Sequence, residues 1–255
     1  MTTKLPLGKF QRALCGGVFA VGMLLTACQP ATKPQEDASV ATPTHKHAHA
    51  TRYAIDPINS SITLRVYRDG PLARFGHNHT IAITQIQGVV YREADLAQSE
   101  VELSFPVAEM IIDSPDDRAK AGPDFPGVIS AEAIAGTRAN MLGPQLLAAA
   151  QYPTIALRTV SVSGQWPELK LIVEISLRKF TSQIVLPVHI SETNDSLIAD
   201  GEIALSQVQL GLTPYSVLGG GLRVSDNIDA RFHLVSVKET TVKESTAKNA
   251  AAKER

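Results

Sequence analysis

Hydrophobic and polar residues alternate along the middle of the chain. In the segment SITLRVYR, Ile62, Leu64 and Val66 share one face of an extended strand, while Thr63 and Arg65 lie on the other. The same alternation recurs, with Gly, Pro, Asn and Asp between the segments, in EVELSFPV, TIALRTVSV, ELKLIVEISL, SQIVLPVHI, SLIADGEIAL and NIDARFHLV. Many short, half-apolar strands separated by turn residues are typical of an antiparallel sandwich or barrel.

Two features interrupt this strand pattern. Pro187 lies inside IVLPVHI, and because proline has no N–H to donate, it predicts an edge strand or a bulge there. Residues 131–153 instead follow a helical period, and Pro144 and Pro153 are placed to begin and end a second short helix. We expect a helical excursion that packs across one end of the β structure through Met141, Leu142, Leu146, Leu147 and Ala150.

The first 28 residues have the composition of a secretion signal. Three basic residues and no acidic residue precede an apolar run that is too short to span a bilayer comfortably. The run ends in LTAC, which resembles the bacterial lipoprotein signal box, in which the cysteine is lipidated and becomes the first mature residue. We therefore expect residues 1–27 to be a signal peptide and Cys28 to carry the lipid. A plain signal peptide or an uncut anchor is the alternative.

The residue after Cys28 bears on where such a lipoprotein goes. Gln29, in place of aspartate, resembles the outer-membrane rather than the inner-membrane sorting pattern. Acyl chains on one cysteine supply more than the single chain that gives marginal attachment, so the anchor should be stable. We expect a periplasm-facing lipoprotein of the bacterial cell envelope, held at the outer membrane.

Low-complexity segments flank the alternating region. Residues 28–52 have Val40 as their one large apolar residue after Cys28, which predicts a disordered tether. The tether contains HKHAH, a histidine tract of a kind that binds Zn(II), Cu(II) or Ni(II) loosely, although no carboxylate or fourth ligand stands beside it. Residues 238–255 form a charged, alanine-rich tail. Between the tether and the tail, the sequence predicts one β domain, residues 53–237.

Composition narrows the possible chemistry. The chain has 255 residues, and its 24 basic and 25 acidic residues give no basic field of the kind that binds nucleic acid. Both cysteines, Cys15 and Cys28, precede the β domain, so the domain has no disulfide, thiol nucleophile or thiolate metal site. Aromatic residues make up 5% of the chain, which favours space inside a barrel because few rings are available to fill it.

Four segments, in order, are similar to the YceI-like family of lipid- or polyisoprenoid-binding periplasmic proteins. They are YAIDPINSSITLRVYR, VELSFPVAEMIIDSPDDR, LLAAAQYPTIALRTVSV and LGLTPYSVLGGGLRVSDNIDARFHLV, and together they extend over about the whole of residues 53–237. The chain departs from the family pattern at GPLARFGHNHTI and in a longer acidic–arginine segment around AKAGPDFPGVISAEAIAG. The resemblance implies an antiparallel, lipocalin-like barrel that holds a long apolar chain inside, without an enzymatic reaction.

The predicted barrel indicates which residues could contact a ligand. A barrel of about eight strands is wide enough to be filled by side chains or to hold one slender ligand. The residues on the apolar faces of two strands, together with the two histidines of GHNH, are the candidates for contact with an apolar lipid or isoprenoid. They are Ile62, Leu64, Val66, His77, His79, Leu103 and Phe105.

The two histidines of GHNH have several possible roles. His77 and His79, two residues apart on a strand, share a face about 7 Å apart and could both reach one ion. Two histidines do not complete a zinc site, and His189 and His233 could supply further ligands if their strands lie nearby. The pair could equally hydrogen-bond a ligand head group at the barrel mouth, or be polar scaffold.

Other motifs give no catalytic constellation. The run DSPDDR lacks the alternating oxygens and the glycine of a calcium loop, and its Asp and Ser residues are ordinary turn formers. No glycine-x-serine-x-glycine elbow or phosphate loop is present. We therefore expect a non-enzymatic binding protein without a cofactor. The alternatives are an envelope metal-handling protein that uses the tether histidines and GHNH and, less favoured, a hydrolase or isomerase with His77 or His79 as base.

Overall fold

The computed structural model describes residues 47–239, which form twelve β-strands and two α-helices. The predicted signal peptide, Cys28 and most of the predicted tether and tail lie outside these residues. The strands are β1 Thr51–Ile55, β2 Ser61–Asp69, β3 His79–Ile83, β4 Gln87–Arg92, β5 Glu100–Pro106, β6 Ile111–Ile112, β7 Thr154–Gln165, β8 Glu168–Leu177, β9 Phe180–Glu192, β10 Ser196–Ser206, β11 Ser216–Val217 and β12 Leu222–Lys238. The helices are α1 Pro115–Ala121 and α2 Ala131–Leu142.

Eight of the strands close into an antiparallel barrel. Their order is β1-β4-β5-β7-β8-β9-β10-β12, and pairing of β12 with β1 completes the ring. The predicted fold class, an antiparallel β-barrel with a short helical excursion, is confirmed. β1 begins at Thr51, two residues before the predicted domain boundary, because Thr51 and Arg52 pair with Arg92 and Tyr91 of β4.

The 17-residue strand β12 continues the barrel wall beyond the ring. Its last residues pair with β1, and its earlier part, from Arg223 to His233, pairs with β2 on the same edge. β3 and then β6 extend this sheet, with Ile81 opposite Ile112. The β2–β3–β6 sheet therefore forms the wall at one end of the barrel, and GHNH lies at the start of β3.

The helical region differs in part from its prediction. α2 forms as expected and ends at Leu142, but residues 143–152 are turns rather than a second short helix. Ala148 has a φ of 47°, a left-handed conformation that ends any helix starting at Pro144. α1 was not predicted: Ser114 caps its N-terminus by accepting the N–H of Asp117, and Pro115 occupies its first turn.

The proline in β9 has a different setting from the predicted edge strand. β9 lies between β8 and β10, and Pro187 is the register partner of Lys170 on β8. The ladder to β10 covers only Leu197–Asp200 and ends at His189, two residues beyond Pro187. At Pro187, β10 no longer pairs with β9. The N–H that proline lacks is therefore not needed for a hydrogen bond to β10.

Candidate functional site

A cavity of about 280 Å³ lies at the end of the barrel next to α2. Side chains of β2, β3, β7, β8, β10 and β12 form its walls, and aliphatic residues make up most of them. Exposed side chains such as Arg68 and His77 also line it, so the cavity reaches the surface at that end. The aliphatic lining consists of Leu64, Val66, Ile81, Met110, Met141, Leu146, Leu147, Ile155, Leu177, Leu205, Leu210, Leu212, Val217, Leu222, Val224 and Ile228.

The cover of this cavity comes from α2 and the turns that follow it. Met141 and Leu147 are buried and line the cavity from this side. Arg138 on α2 donates to the carbonyls of Ala108 and Met110, and its bond to Met110 is 2.8 Å long. Arg178, in the β8–β9 turn, donates to the Leu146 carbonyl at 2.9 Å. These two arginines tie the cover to the barrel wall, as the predicted packing across one end requires.

Two loops form the rim opposite the cover. The loop after β2 meets the loop before β12, where the Leu72 N–H donates to the Gly221 carbonyl at 2.8 Å. Gly70 has a φ of +95°, and a Cβ there would lie 2.7 Å from the Gly221 oxygen, so only glycine allows this approach. Gly76 from the first of these loops and Leu222, the first residue of β12, line the cavity.

A second, smaller cavity of about 110 Å³ lies deeper in the barrel and is also apolar. The inward positions of β8 show how the two are separated: Leu177 lines the large cavity, Val173 the small one, and Ile175 between them lines neither. On β12, Ile228 lines the large cavity, Phe232 lines the small one, and Ala230 between them lines neither. A layer of buried side chains therefore divides the barrel interior into two compartments.

His79 is held at the large cavity by a buried ion pair. Its Nδ1 lies 2.6 Å from Oδ2 of Asp113, whose other oxygen accepts from Arg118 at 2.7 Å. Asp113 and Arg118 are each 3% exposed. Three further N–H groups of Arg118 donate to the carbonyls of Asn78, Pro126 and Gly127. All three guanidinium nitrogens are thus hydrogen-bonded, which offsets the cost of burying the charge.

Asp113 sits in a backbone conformation that sequence patterns do not reveal. Its φ is 52°, in the left-handed region that aspartate tolerates better than most residues. Its N–H donates to the Thr80 carbonyl at 2.8 Å, and its Oδ1 accepts the Thr80 N–H at 2.9 Å. Asp113 therefore continues the β3–β6 ladder by one residue, which brings its carboxylate against His79.

The surroundings of Asp113 favour its ionised form. Burial raises the pKa of the Asp113 carboxyl, but the hydrogen bonds from His79, the Thr80 N–H and Arg118 outweigh it. The pKa consequently lies below its ordinary value. The carboxylate that faces His79 is thus an acceptor only.

The predicted ligand-binding residues divide among these compartments. Leu64, Val66, His77 and His79 line the large cavity, and Leu103 lines the small one. Ile62 and Phe105 line neither and belong to the packed core. Ligand contact by all seven stays a prediction, but the alternation that placed Ile62, Leu64 and Val66 on one face matches their common packing against the core.

The other histidines do not join His77 and His79. His189 pairs with Glu168 and His233 with Asp200 on the outside of the barrel. His47 stacks on Tyr91 with ring centroids 4.3 Å apart, His49 is exposed, and His45 lies outside the described residues. Within residues 47–239, no three His, Cys, Asp or Glu side chains are grouped so that they could hold a metal ion.

Sequence reasoning missed Asp113 and Arg118, which it interpreted as part of a turn. The signal available was an Asp-Ser-Pro sequence directly after the apolar pair Ile111–Ile112, typical of a strand end followed by a helix cap. The segment that wraps Arg118 lies in one of the two stretches that the sequence analysis expects to depart from the family pattern, and His79 lies in the other. The contact of His79 with Asp113, which Arg118 also binds, brings these two stretches together.

A closed antiparallel barrel with an apolar cavity and polar groups at its mouth defines a ligand-binding β-barrel protein. The model of the YceI-like domain matches residues 53–236, and the chain belongs to this family, as the sequence resemblance predicted. Barrels of the family are known for binding apolar small ligands and are generally binding proteins rather than enzymes. No curated protein sequence matches the chain.

The chain is similar to solved structures at low sequence identity. BcnA of Burkholderia cenocepacia is 13% identical, with a TM-score of 0.52 over 71% of this chain and 98% of its own. A YCEI protein of Campylobacter jejuni is 9% identical, with a TM-score of 0.46 over 63% of this chain and 85% of its own. In the part of the chain that the structure describes, no helix is both long and apolar enough to cross a membrane.

Proposed function

We propose that the protein binds a long-chain apolar molecule, a lipid or an isoprenoid, inside the barrel and carries or sequesters it without chemical change. The large cavity carries this proposal. Its volume of about 280 Å³ is close to the lower end of ligand pockets, and most of the residues in its wall are aliphatic. Each ligand methylene that moves from water into contact with such a wall contributes about 0.8 kcal/mol of favourable binding free energy. The polar groups at the mouth match a ligand with one apolar chain and one polar end.

We also propose that the barrel works as a lipid-anchored protein of the bacterial envelope, facing the periplasm and attached to the outer membrane. The apolar leader, LTAC and Gln29 support this location. A long-chain ligand is poorly soluble in water, so a membrane-attached carrier meets it where it is concentrated. The stretch before β1 would give the barrel reach from the membrane surface.

Isothermal calorimetry with dodecanol, a simple long-chain amphiphile, tests the binding proposal. Leu64→Trp places a larger side chain inside the large cavity, and Val185→Trp is the matched control because Val185 is 59% exposed on β9. Dodecanol should bind the unmodified protein and the control with a negative heat-capacity change. Leu64→Trp should weaken binding by at least about tenfold, or about 1.4 kcal/mol. Equal binding by both variants would place the ligand outside this cavity.

A further inference from the structure

His79 differs from the amide and hydroxyl side chains of the large cavity because its contact with Asp113 fixes which of its ring nitrogens donates a hydrogen bond. Asn140, Thr137 and Tyr215 also line the cavity, but an amide or a hydroxyl offers both a donor and an acceptor. A neutral imidazole carries one proton, on one ring nitrogen. The Asp113 carboxylate only accepts, so the 2.6 Å contact requires the proton on Nδ1.

The second ring nitrogen of His79, Nε2, is available for a hydrogen bond to a ligand in the cavity. His79 lines the cavity, its side chain is 17% exposed, and among the described residues no partner bonds its Nε2. In the neutral ring, with the proton on Nδ1, this nitrogen is a lone-pair acceptor. Arg118 lies 2.7 Å from the other oxygen of Asp113, so the carboxylate has the guanidinium as its cationic partner.

We propose that His79 presents this acceptor to the ligand and selects apolar molecules whose head group donates a hydrogen bond, an alcohol rather than an ether or a carboxylate. Asp113 and Arg118 are the positioning residues, since they set the tautomer without facing the ligand. The inference rests on the proposed function, because it concerns the polar end of a chain held in the same cavity. A buried acceptor without a donor is costly, so an ether oxygen placed there is penalised.

The rim arginines are the competing determinant, because they would favour an anionic head group. Arg223 is paired with Asp69 at 2.8 Å, and Arg68 donates to the Gly76 carbonyl. Both are thus engaged with the protein, whereas Nε2 of His79 is not. On this ground the alcohol is preferred over the carboxylate of the same chain length.

The test compares dodecanol, dodecyl methyl ether and dodecanoate by calorimetry at about pH 8, where imidazoles are ordinarily neutral. The alcohol should bind at least about fivefold more tightly than the ether and the carboxylate. Equal affinities for alcohol and ether would overturn the head-group inference while leaving the cavity function standing. Tighter binding of dodecanoate would assign head-group recognition to Arg68 and Arg223 instead. Failure of all three to bind would overturn the proposed function itself.

The variant Asp113→Asn tests the role of the His79 tautomer directly. The Asn oxygen can keep the bonds from Arg118 and Thr80 that Oδ1 now accepts, which turns the amide N–H₂ toward Nδ1 of His79. The proton then moves to Nε2, and the preference for alcohol over ether should fall to near unity. His189→Gln is the control, because His189 pairs with Glu168 on the outside of the barrel, and it should leave the preference unchanged.

Long-range proton–nitrogen correlation NMR spectra of the imidazoles read the tautomer directly. In the unmodified protein the proton of His79 should be on Nδ1, and in Asp113→Asn on Nε2. A purely structural role of Asp113 would change stability without moving this proton. If Asp113→Asn does not fold, the spectrum of the unmodified protein still decides, since a proton on Nε2 there would overturn the proposal.

Discussion

Phe105 on β5 is the register partner of Ile155 on β7, yet the two side chains have different neighbours inside the barrel. Ile155 lines the large cavity, whereas Phe105 lines neither cavity and is 5% exposed. The next inward pair on these strands, Leu103 and Leu157, lines the small cavity. Phe105 therefore belongs to the layer of buried side chains that divides the interior.

Phe105→Ala should open this divider. Removal of a buried phenylalanine side chain costs about 3–5 kcal/mol of unfolding free energy, because the cavity that it leaves collapses only in part. The variant should also accept longer alcohols than the unmodified protein, since the two compartments become continuous. Urea unfolding and a chain-length series in calorimetry measure the two effects.

Phe75→Ala is the control for that change, because Phe75 is 66% exposed in the rim loop. It should alter the free energy of unfolding by no more than about 0.5 kcal/mol. If Phe105→Ala is destabilised but binds the same chain lengths as before, the divider does not set ligand length.

The strand register of β2 can be tested at two adjacent positions. Leu64 faces the cavity and Thr63 faces the outside, near Arg65 and Glu202. Leu64→Asn places an amide without partners against an apolar wall and should cost about 1–3 kcal/mol. Thr63→Asn should cost much less, because its amide stays in contact with water. Thermal melts that shift equally for both variants would contradict the register.

Asp113→Asn should change how stability depends on pH. The pKa of Asp113 is lowered in the folded protein, so its contribution is fully present above the pKa that it has when unfolded and is lost as the pH falls through the folded value. At neutral pH the variant should lose about 3–5 kcal/mol, since Arg118 keeps a buried charge without its carboxylate. This deficit should shrink below the ordinary carboxyl pKa of about 3.9.

Urea unfolding at a series of pH values measures this deficit. Asp116→Asn is the matched control, because Asp116 is exposed in the first turn of α1 and can act only through the helix dipole. Its loss should stay below about 1 kcal/mol. A deficit of Asp113→Asn that is the same at pH 7 and in acid would refute the ionised Asp113 of this account.

Cys28→Ser tests the proposed location. The acyl chains that would hold the protein in the membrane cannot attach to serine, so the variant should be unprocessed or released into the soluble fraction. Labelling with a radioactive fatty acid, followed by membrane fractionation, measures this. Cys15→Ser, in the predicted leader, should keep its label. An unlabelled unmodified protein would exclude the lipid anchor.

The sequence predicted the barrel because its strands are amphipathic and period-two alternation shows which side chains share a face. It placed Leu64 and Val66 correctly on one face for this reason. The pair His79 and Asp113 could not be predicted in the same way. The contact depends on β6, a two-residue strand too short to show a period, and on the left-handed φ of Asp113.

The predicted second helix after Pro144 failed for a related reason. Helical spacing of apolar residues also arises where turns fold over a cavity, and Leu147 is buried from such a turn. The low aromatic content favoured space inside the barrel, but the sequence could not locate that space. Whether aliphatic side chains fill a barrel or leave room depends on their packing in three dimensions, not on their order.

Native mass spectrometry of the protein isolated from bacterial membranes tests the central claim most directly. We expect an added mass of an apolar organic molecule on the folded barrel, which is retained in Val185→Trp and absent from Leu64→Trp. The mass of the polypeptide with its lipid anchor alone, or with only a metal ion added, would contradict it.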